Sequence, residues 1–141
     1  MVLDFTDGAA GAEGPRWQKE GGYLLFSDIG NNQRLKWTPG EGVSVFSEPT
    51  NNANGLPRDP QRWLIACEHG TRRVTLLDPD GSITAVADSY LGRRLNQTND
   101  VAVKSDGSTY FTDPGHQTWT WISPGFIAYP QKTPDSWSRP P

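Results

Sequence analysis

The sequence has few of the residues that would support a disulfide framework, a cysteine-based zinc site or a nucleic-acid interface. It has one cysteine in 141 residues, so an intrachain disulfide and a zinc site built on cysteines are both excluded. Its formal net charge of −3 argues against a nucleic-acid partner, because such partners are bound through basic patches. No apolar run approaches the ~20 residues that a membrane-spanning helix needs, so no membrane partner is expected.

The first residues lack the charge pattern of a secretory signal. Asp4 and Asp7 occur where a signal peptide would carry a basic and then an apolar region. A cytoplasmic location is therefore the expectation.

The clearest strand pattern lies in residues 99–113, which read NDVAVKSDGSTYFTD. Val101 and Val103 alternate with less apolar neighbours, which is the period-2 pattern of a half-buried strand. Gly107 supplies the positive φ that a tight turn needs, and a second apolar run follows it. The stretch therefore predicts a β-hairpin that opens on two polar residues and closes on an acid.

The same pattern occurs twice upstream in one register. The opening residues are Glu13, Asn54 and Asn99, spaced 41 and 45 residues apart, and each closing acid follows its opening residue by 14 or 15 residues. A repeat of roughly 40–45 residues with four short strands is the signature of a β-propeller blade. The closing acids of the three copies are Asp28, Glu68 and Asp113.

The fold class predicted is all-β, a partial β-propeller of about two and a half four-stranded blades. Residues 1–113 form the partial propeller, with blades that start near residues 12, 53 and 98. Residues 114–141 contain six prolines and three tryptophans, and proline cannot donate to a strand ladder. This segment is predicted to be an irregular tail, foreign to the repeat.

Five short strings between residues 10 and 114 carry a family likeness. They are AEGP (12–15), LFSD (25–28), NANGL (52–56), ACEHGTRRV (66–74) and RLNQTND (94–100). Together they resemble the gluconolactonase, regucalcin and senescence-marker family. The resemblance implies a six-bladed propeller with one divalent cation, usually calcium, in its central channel. It also implies hydrolysis of sugar lactones, with a small-molecule sugar lactone as the partner.

The opening residues are the candidate cation ligands. The first strand of each propeller blade lines the axis, so Glu13, Asn54 and Asn99 are predicted to converge on the channel. The resemblance makes Glu13 and Asn99 the metal ligands, although the asparagine matched by Asn99 binds metal or substrate in different members. It allows Asp100 a catalytic role as general base. The cofactor expected is Ca²⁺ or another divalent cation such as Mg²⁺ or Zn²⁺, and oxygen-only donors favour the hard ions.

Three further residues are candidates for substrate binding: Asn54, His69 and Arg94. Each has a plainer interpretation. Asn-Gly is a common turn dipeptide, a loop histidine is usually solvated, and short arginine pairs usually face water. The opening residues themselves could merely cap strands, and the closing acids Asp28 and Asp113 are expected to cap turns.

The resemblance ends after Asp113-Pro114, and the family's remaining ligands come from later blades. Six blades of this repeat would need on the order of 250 residues. The expectation is a metal-dependent sugar-lactone hydrolase present as an N-terminal fragment, inactive alone, from a truncated or frame-shifted gene. The alternative is a non-catalytic, propeller-like module that binds a ligand or assembles with itself. Open blade edges are predicted to favour self-association.

Overall fold

The structure, a computed structural model, describes residue 9 and residues 11–78, 80–115 and 125–129. Over these residues the chain forms antiparallel sheets, and no helix there has both the length and the apolar character that a membrane crossing requires. The strands are β1 (Ala12–Gln18), β2 (Tyr23–Asp28), β3 (Gln33–Thr38), β4 (Gly42–Ser47), β5 (Leu64–Glu68), β6 (Arg73–Leu77), β7 (Ile83–Ala87), β8 (Ser89–Tyr90), β9 (Arg93–Arg94), β10 (Val101–Val103), β11 (Thr109–Asp113) and β12 (Gly125–Tyr129).

The first blade is a complete meander in the order β1-β2-β3-β4. Its central strands bury Leu25, Phe26 and Leu35, as the apolar pattern requires. On β1 the register shifts between Glu13 and Arg16, so that strand has one extra residue opposite β2. The shift falls at Gly14-Pro15, where a positive φ and a missing amide hydrogen make a regular ladder unfavourable.

The second blade has three regular strands in the order β5-β6-β7 and an inner segment that is extended without being a strand. That segment, residues 53–58, pairs with β5 through isolated bridges from Ala53 to Glu68 and from Arg58 to Leu64. Between them the amide of Asn54 donates to the Cys67 carbonyl at 2.8 Å. The segment therefore occupies the place of the blade's first strand.

The third blade has the order β10-β11-β12. Residues 114–141 are predicted to be irregular, but Gly125–Tyr129 forms β12 and pairs with all of β11, from Thr109 to Asp113. The prediction is wrong for these five residues. Apart from them and residues 114–115, the predicted tail lies outside the described residues.

The largest apolar core joins the second and third blades. Phe111 on β11 is fully buried, and Leu95, from the connection between the blades, is also fully buried. Burial of this shared surface holds the two sheets together. The buried members are Ile65, Cys67, Val74, Leu76, Ala87, Leu95, Val101 and Phe111.

We predict that Phe111→Ala destabilises the chain by about 3–5 kcal/mol, because it removes the largest fully buried side chain of the described residues and leaves a cavity between two blades. Urea unfolding followed by tryptophan fluorescence measures the change. The control is Ile83→Ala, at a side chain that is 53% exposed, which should change stability by no more than about 0.5 kcal/mol. A loss for Phe111→Ala as small as the control's would show that this core does not join the blades.

Candidate functional site

The three inner-strand openings lie side by side, in contact through their backbones. A Cβ at Gly14 would lie 2.6 Å from the Asn54 carbonyl oxygen, and a Cβ at Gly55 would lie 3.0 Å from the Val101 nitrogen. The Gly55 amide donates to the Asn99 carbonyl at 2.9 Å. The opening residues of the three blades are therefore neighbours at one edge of the sheets, as the repeat predicts.

The side chains at these openings have no polar partner among the described residues. Glu13 is exposed, Asn99 is half-buried and Asn54 is 3% exposed. None of these three side chains makes a hydrogen bond or an ion pair there, although the backbones of Asn54 and Asn99 do. The Glu13 carboxylate and the Asn99 amide are the accessible members of the set, whereas the Asn54 amide is buried.

The closing acids, in contrast, are buried and hydrogen-bonded, and two of them accept from the turn that follows. Asp28 accepts hydrogen bonds from Asn31 at 2.8 Å and from Gln33 at 2.9 Å, three and five residues ahead. Glu68 accepts from Thr71 and, at 2.8 Å, from Arg73, again three and five residues ahead. These two carboxylates each cap the loop that follows, which is the structural role expected of strand-end acids.

Asp113 braces the connection between the second and third blades. Its two carboxylate oxygens accept from the Asn96 amide at 2.8 and 3.0 Å, and the Asn96 side chain donates to it at 3.2 Å. Both side chains are fully buried. Because its oxygens are occupied by the protein, Asp113 is a structural carboxylate, like the other closing acids.

His69 lies close enough to Glu13 for that carboxylate to affect its titration. The imidazole is half-buried, and its Nε2 atom is buried without a hydrogen-bond partner in the described part of the chain. Burial lowers the pKa of His69 below 6.5, and the negative charge of Glu13 opposes that shift. The imidazole is therefore neutral at pH 7. Glu13 is therefore near enough to act on the charge of His69, and the role of His69 in substrate binding stays a prediction.

Asp100 projects from the same edge. Its Oδ1 atom accepts from the Val101 amide at 2.8 Å and lies 3.0 Å from the position that a Cβ on Gly55 would take. The side chain is exposed, and Oδ2 makes no hydrogen bond among the described residues. One oxygen fixes the side chain, and the other is available to take a proton.

Arg94 lies in a separate cleft. Its guanidinium donates to the Thr71 carbonyl at 2.9 Å, and the cleft of about 560 Å³ is also lined by Arg73, Asp88 and Ser89. No contact recorded in the described residues joins Arg94 to Glu13 or Asn99. The loop that contains His69 also contains Thr71, so Arg94 contacts the end of that loop. Its substrate-binding role stays a prediction.

The oxygen donors at the openings are of the type that a hard divalent cation binds, but there are fewer of them than such a cation needs. Glu13, Asn54 and Asn99 offer oxygen atoms, the ligands that Ca²⁺ and Mg²⁺ prefer. Over the described ranges no three His, Cys, Asp or Glu side chains form a group that could hold a metal ion. A cation at this edge would therefore depend on amide oxygens, on water and on donors from elsewhere.

The comparisons with known proteins decide the family. The family model described as SMP-30/Gluconolactonase/LRE-like region matches residues 11–129. The chain belongs to this family. Its match extends to Tyr129, beyond residue 114, where the resemblance in the sequence was expected to end, and so includes β12.

Individual members of the family are similar over most of this chain. The gluconolactonase of Zymomonas mobilis subsp. mobilis is 38% identical over 117 residues, which covers 73% of this chain and 33% of that protein. The structure of a gluconolactonase from Xanthomonas campestris matches with a TM-score of 0.72 and 38% identity, over 78% of this chain and 37% of that one. A putative gluconolactonase matches with a TM-score of 0.74 and 31% identity, over 92% and 47%.

The family member described here spans about a third to a half of the length of these relatives. The structural matches confirm the predicted fold class, an all-β partial propeller with open sheets. The inference from the repeat alone and the comparisons agree on the fold.

Sequence reasoning missed two features of the site. The pairing of β8 with β9 places Arg94 in its cleft, and strands of two residues have no periodicity to detect. The proximity of His69 to Glu13 was also missed, although both residues were candidates. They are 56 positions apart in the sequence, and only the packing of one blade on the next brings them together.

We predict that Glu13→Gln lowers the pKa of His69 further, because it removes the charge that stabilises the imidazolium. An NMR titration of the imidazole protons measures it, with His69→Gln to assign the signal, since the chain has two histidines. Glu41→Gln, at an exposed turn, is the control and should leave the titration unchanged. Equal midpoints in the parent and Glu13→Gln would show that the two side chains do not face each other.

The lowered pKa also fixes the sign of the pH dependence of stability. The unfolded imidazole titrates near 6.5 and the folded one lower, so the unfolded state binds more protons between the two values. The stability contributed by His69 is complete above 6.5 and is lost as the pH falls through 6.5 to the folded value. His69→Gln should remove that part of the dependence in urea unfolding between pH 8 and 5.

Proposed function

We propose that the chain forms part of a metal-dependent sugar-lactone hydrolase of the gluconolactonase type. The supporting observation is that the openings at Glu13, Asn54 and Asn99 are neighbours at one edge, and that their side chains have no polar partner among the described residues. Family membership supplies the reaction class, since two of the matched relatives are named gluconolactonases. The binding residues of the proposal come from the first strands of three successive blades.

The cation proposed is Ca²⁺, with Mg²⁺ or Zn²⁺ as alternatives, held by the Glu13 carboxylate and the Asn99 amide oxygen. When bound, such an ion polarises a carbonyl and lowers the pKa of a water molecule. Calcium takes about 6–8 oxygen ligands, so water and residues beyond these three blades must supply the rest. This shortage supports the further proposal that the 141-residue chain is inactive alone.

The other residues have roles that their surroundings support. Asp100 acts as general base: the Val101 amide fixes Oδ1, and Oδ2 receives the proton of the attacking water. His69 is neutral at pH 7, and its half-buried imidazole is a candidate contact for a substrate hydroxyl. The Asn54 amide and the Arg94 guanidinium are the remaining candidates for the hydroxyls of a sugar lactone.

A second candidate function, a non-catalytic module that assembles with itself, is favoured by the edge strand β4. Val43, Val45 and Phe46 on this strand are 37%, 52% and 43% exposed. In the described residues β4 pairs only with β3, so its other edge presents unpaired backbone groups. An apolar edge strand of this kind is a template for pairing with another chain.

The lactonase proposal is tested in a chimera in which residues 11–113 replace the matching segment of the Zymomonas mobilis gluconolactonase. We expect the chimera to hydrolyse glucono-δ-lactone in a calcium-dependent manner, measured in a pH-stat. Glu13→Gln or Asn99→Leu within it should lower kcat/KM by at least about 100-fold, since each removes a cation donor. The 141-residue chain alone should not exceed the rate in buffer.

Glu41→Gln is the matched control, because Glu41 is an exposed glutamate of the same blade in a turn between strands. Calorimetric titration of the chimera with calcium gives a readout independent of turnover. An active chimera whose calcium affinity and rate are the same with Glu13→Gln and Asn99→Leu would refute the assignment of these ligands. A folded chimera that binds calcium without hydrolysing lactone would refute the reaction.

Self-assembly is tested by light scattering of the 141-residue chain. We expect species larger than a monomer, and Val45→Lys should reduce them by placing a charge at the centre of the apolar edge. Ser105→Lys adds the same charge at an exposed turn of the third blade and should not change the distribution. A monodisperse monomer for the parent chain would eliminate this second function.

A further inference from the structure

A cavity of about 100 Å³ lies between the first and second blades, away from the opening residues. We call it the interblade cavity. The lining residues include polar groups from both blades and apolar side chains of the second, and they include neither Glu13 nor Asn99. Its polar lining consists of Arg34, Ser47, Thr50, Asn51, Glu68 and Thr75.

Arg34, on β3, is a buried cation at this cavity. It is 5% exposed, and its Nε atom is buried without a hydrogen-bond partner among the described residues. Burial lowers the pKa of Arg34 to about 10, and the charge of Glu68 acts in the opposite direction. The guanidinium is therefore still charged at neutral pH, in a place where a charge is costly unless it is paired.

Two hydroxyls of the same lining are also unpartnered. The Ser47 Oγ and Thr50 Oγ1 atoms are buried and have no hydrogen-bond partner in the ranges that the structure describes. Buried polar side chains in folded proteins nearly always have a partner, so three unpaired donors around one cavity indicate something that accepts from them. The three come from β3, from the end of β4 and from the connection that follows it.

The acid of the lining is already neutralised. Glu68 accepts hydrogen bonds from Asn51 at 3.2 Å, from Arg73 at 2.8 Å and from Thr75 at 2.9 Å, besides the one from Thr71. Its ion pair is therefore with Arg73, across the β5-β6 ladder. Arg73 pairs with Glu68 from outside the lining, and Arg34 is the one cation among the lining residues.

The geometry points to a binding site for one monovalent inorganic anion, such as chloride, in the interblade cavity, held by Arg34, Ser47 and Thr50. An anion can accept from all three donors, and its charge is opposite to that of Arg34. The volume suits one halide with one or two waters, since a water occupies roughly 30 Å³. Donors from the first blade would then contact the anion beside Glu68 of the second, so the ion stabilises the packing of the two blades.

The test is thermal and urea unfolding of the 141-residue chain at constant ionic strength, with sodium methanesulfonate replaced stepwise by sodium chloride. Chloride at 100 times its dissociation constant should raise the ratio of folded to unfolded chain by about 100-fold, because it binds the folded state alone. The double variant Ser47→Ala/Thr50→Val keeps the arginine and loses two donors, so its half-saturating chloride concentration should rise at least tenfold.

Arg34→Met should be insensitive to chloride, within twofold in the same ratio, and Arg16→Met, at an exposed arginine of the first blade, should respond like the parent chain. A crystal grown in bromide should show an anomalous peak within hydrogen-bond distance of the Arg34 guanidinium. A parent chain whose stability does not change with chloride, or a bromide map with water alone in the cavity, would overturn the proposal.

Discussion

The candidate site depends on close backbone contacts between the inner segments of neighbouring blades, at Gly14 and at Gly55. At each glycine the neighbouring blade occupies the space that a side chain would need, at 2.6 Å for Gly14 and 3.0 Å for Gly55. Gly14 also has a φ of 55°, in the left-handed region that favours glycine. Only with both side chains absent can three inner strands lie this close, and their closeness makes neighbours of residues more than 40 positions apart.

Two positions of the repeat differ in role: the opening residue is a candidate for binding, and the closing acid stabilises the fold. Among the described residues, the side chain that opens each inner strand has no polar partner. The closing acids are buried and hydrogen-bonded, Asp28 and Glu68 to the loop that follows and Asp113 to Asn96. A buried carboxylate with several donors around it contributes to stability, and its remaining lone pairs are shielded from solvent. Glu13 and Glu68 are the same residue type, so their different roles follow from their positions in the blade. This division supports the proposed cation ligands and argues against the closing acids.

The sequence predicts the parts of this fold that depend on local chemistry. The hairpin at Gly107 follows from alternation and turn residues, and the positions of the opening residues follow from the repeat. The strand at Gly125–Tyr129 could not be predicted in the same way. The neighbouring prolines favour an irregular segment, and the pairing of this strand with β11 is a tertiary contact. For the site, the register of the repeat predicts that the opening residues of successive blades lie next to one another. It does not give the effect of the Glu13 charge on the pKa of His69, which depends on how the blades pack.

The environment of Cys67 makes the single thiol a probe of motion in the second blade. It is fully buried in the core shared with the third blade, and burial raises the pKa of the thiol well above its ordinary value. The reactive thiolate is therefore absent from the folded state at neutral pH. Alkylation of Cys67 requires a local opening in which β5 separates from its neighbours. The rate of alkylation at this one sulfur consequently measures how often the sheet opens, without any label or added residue.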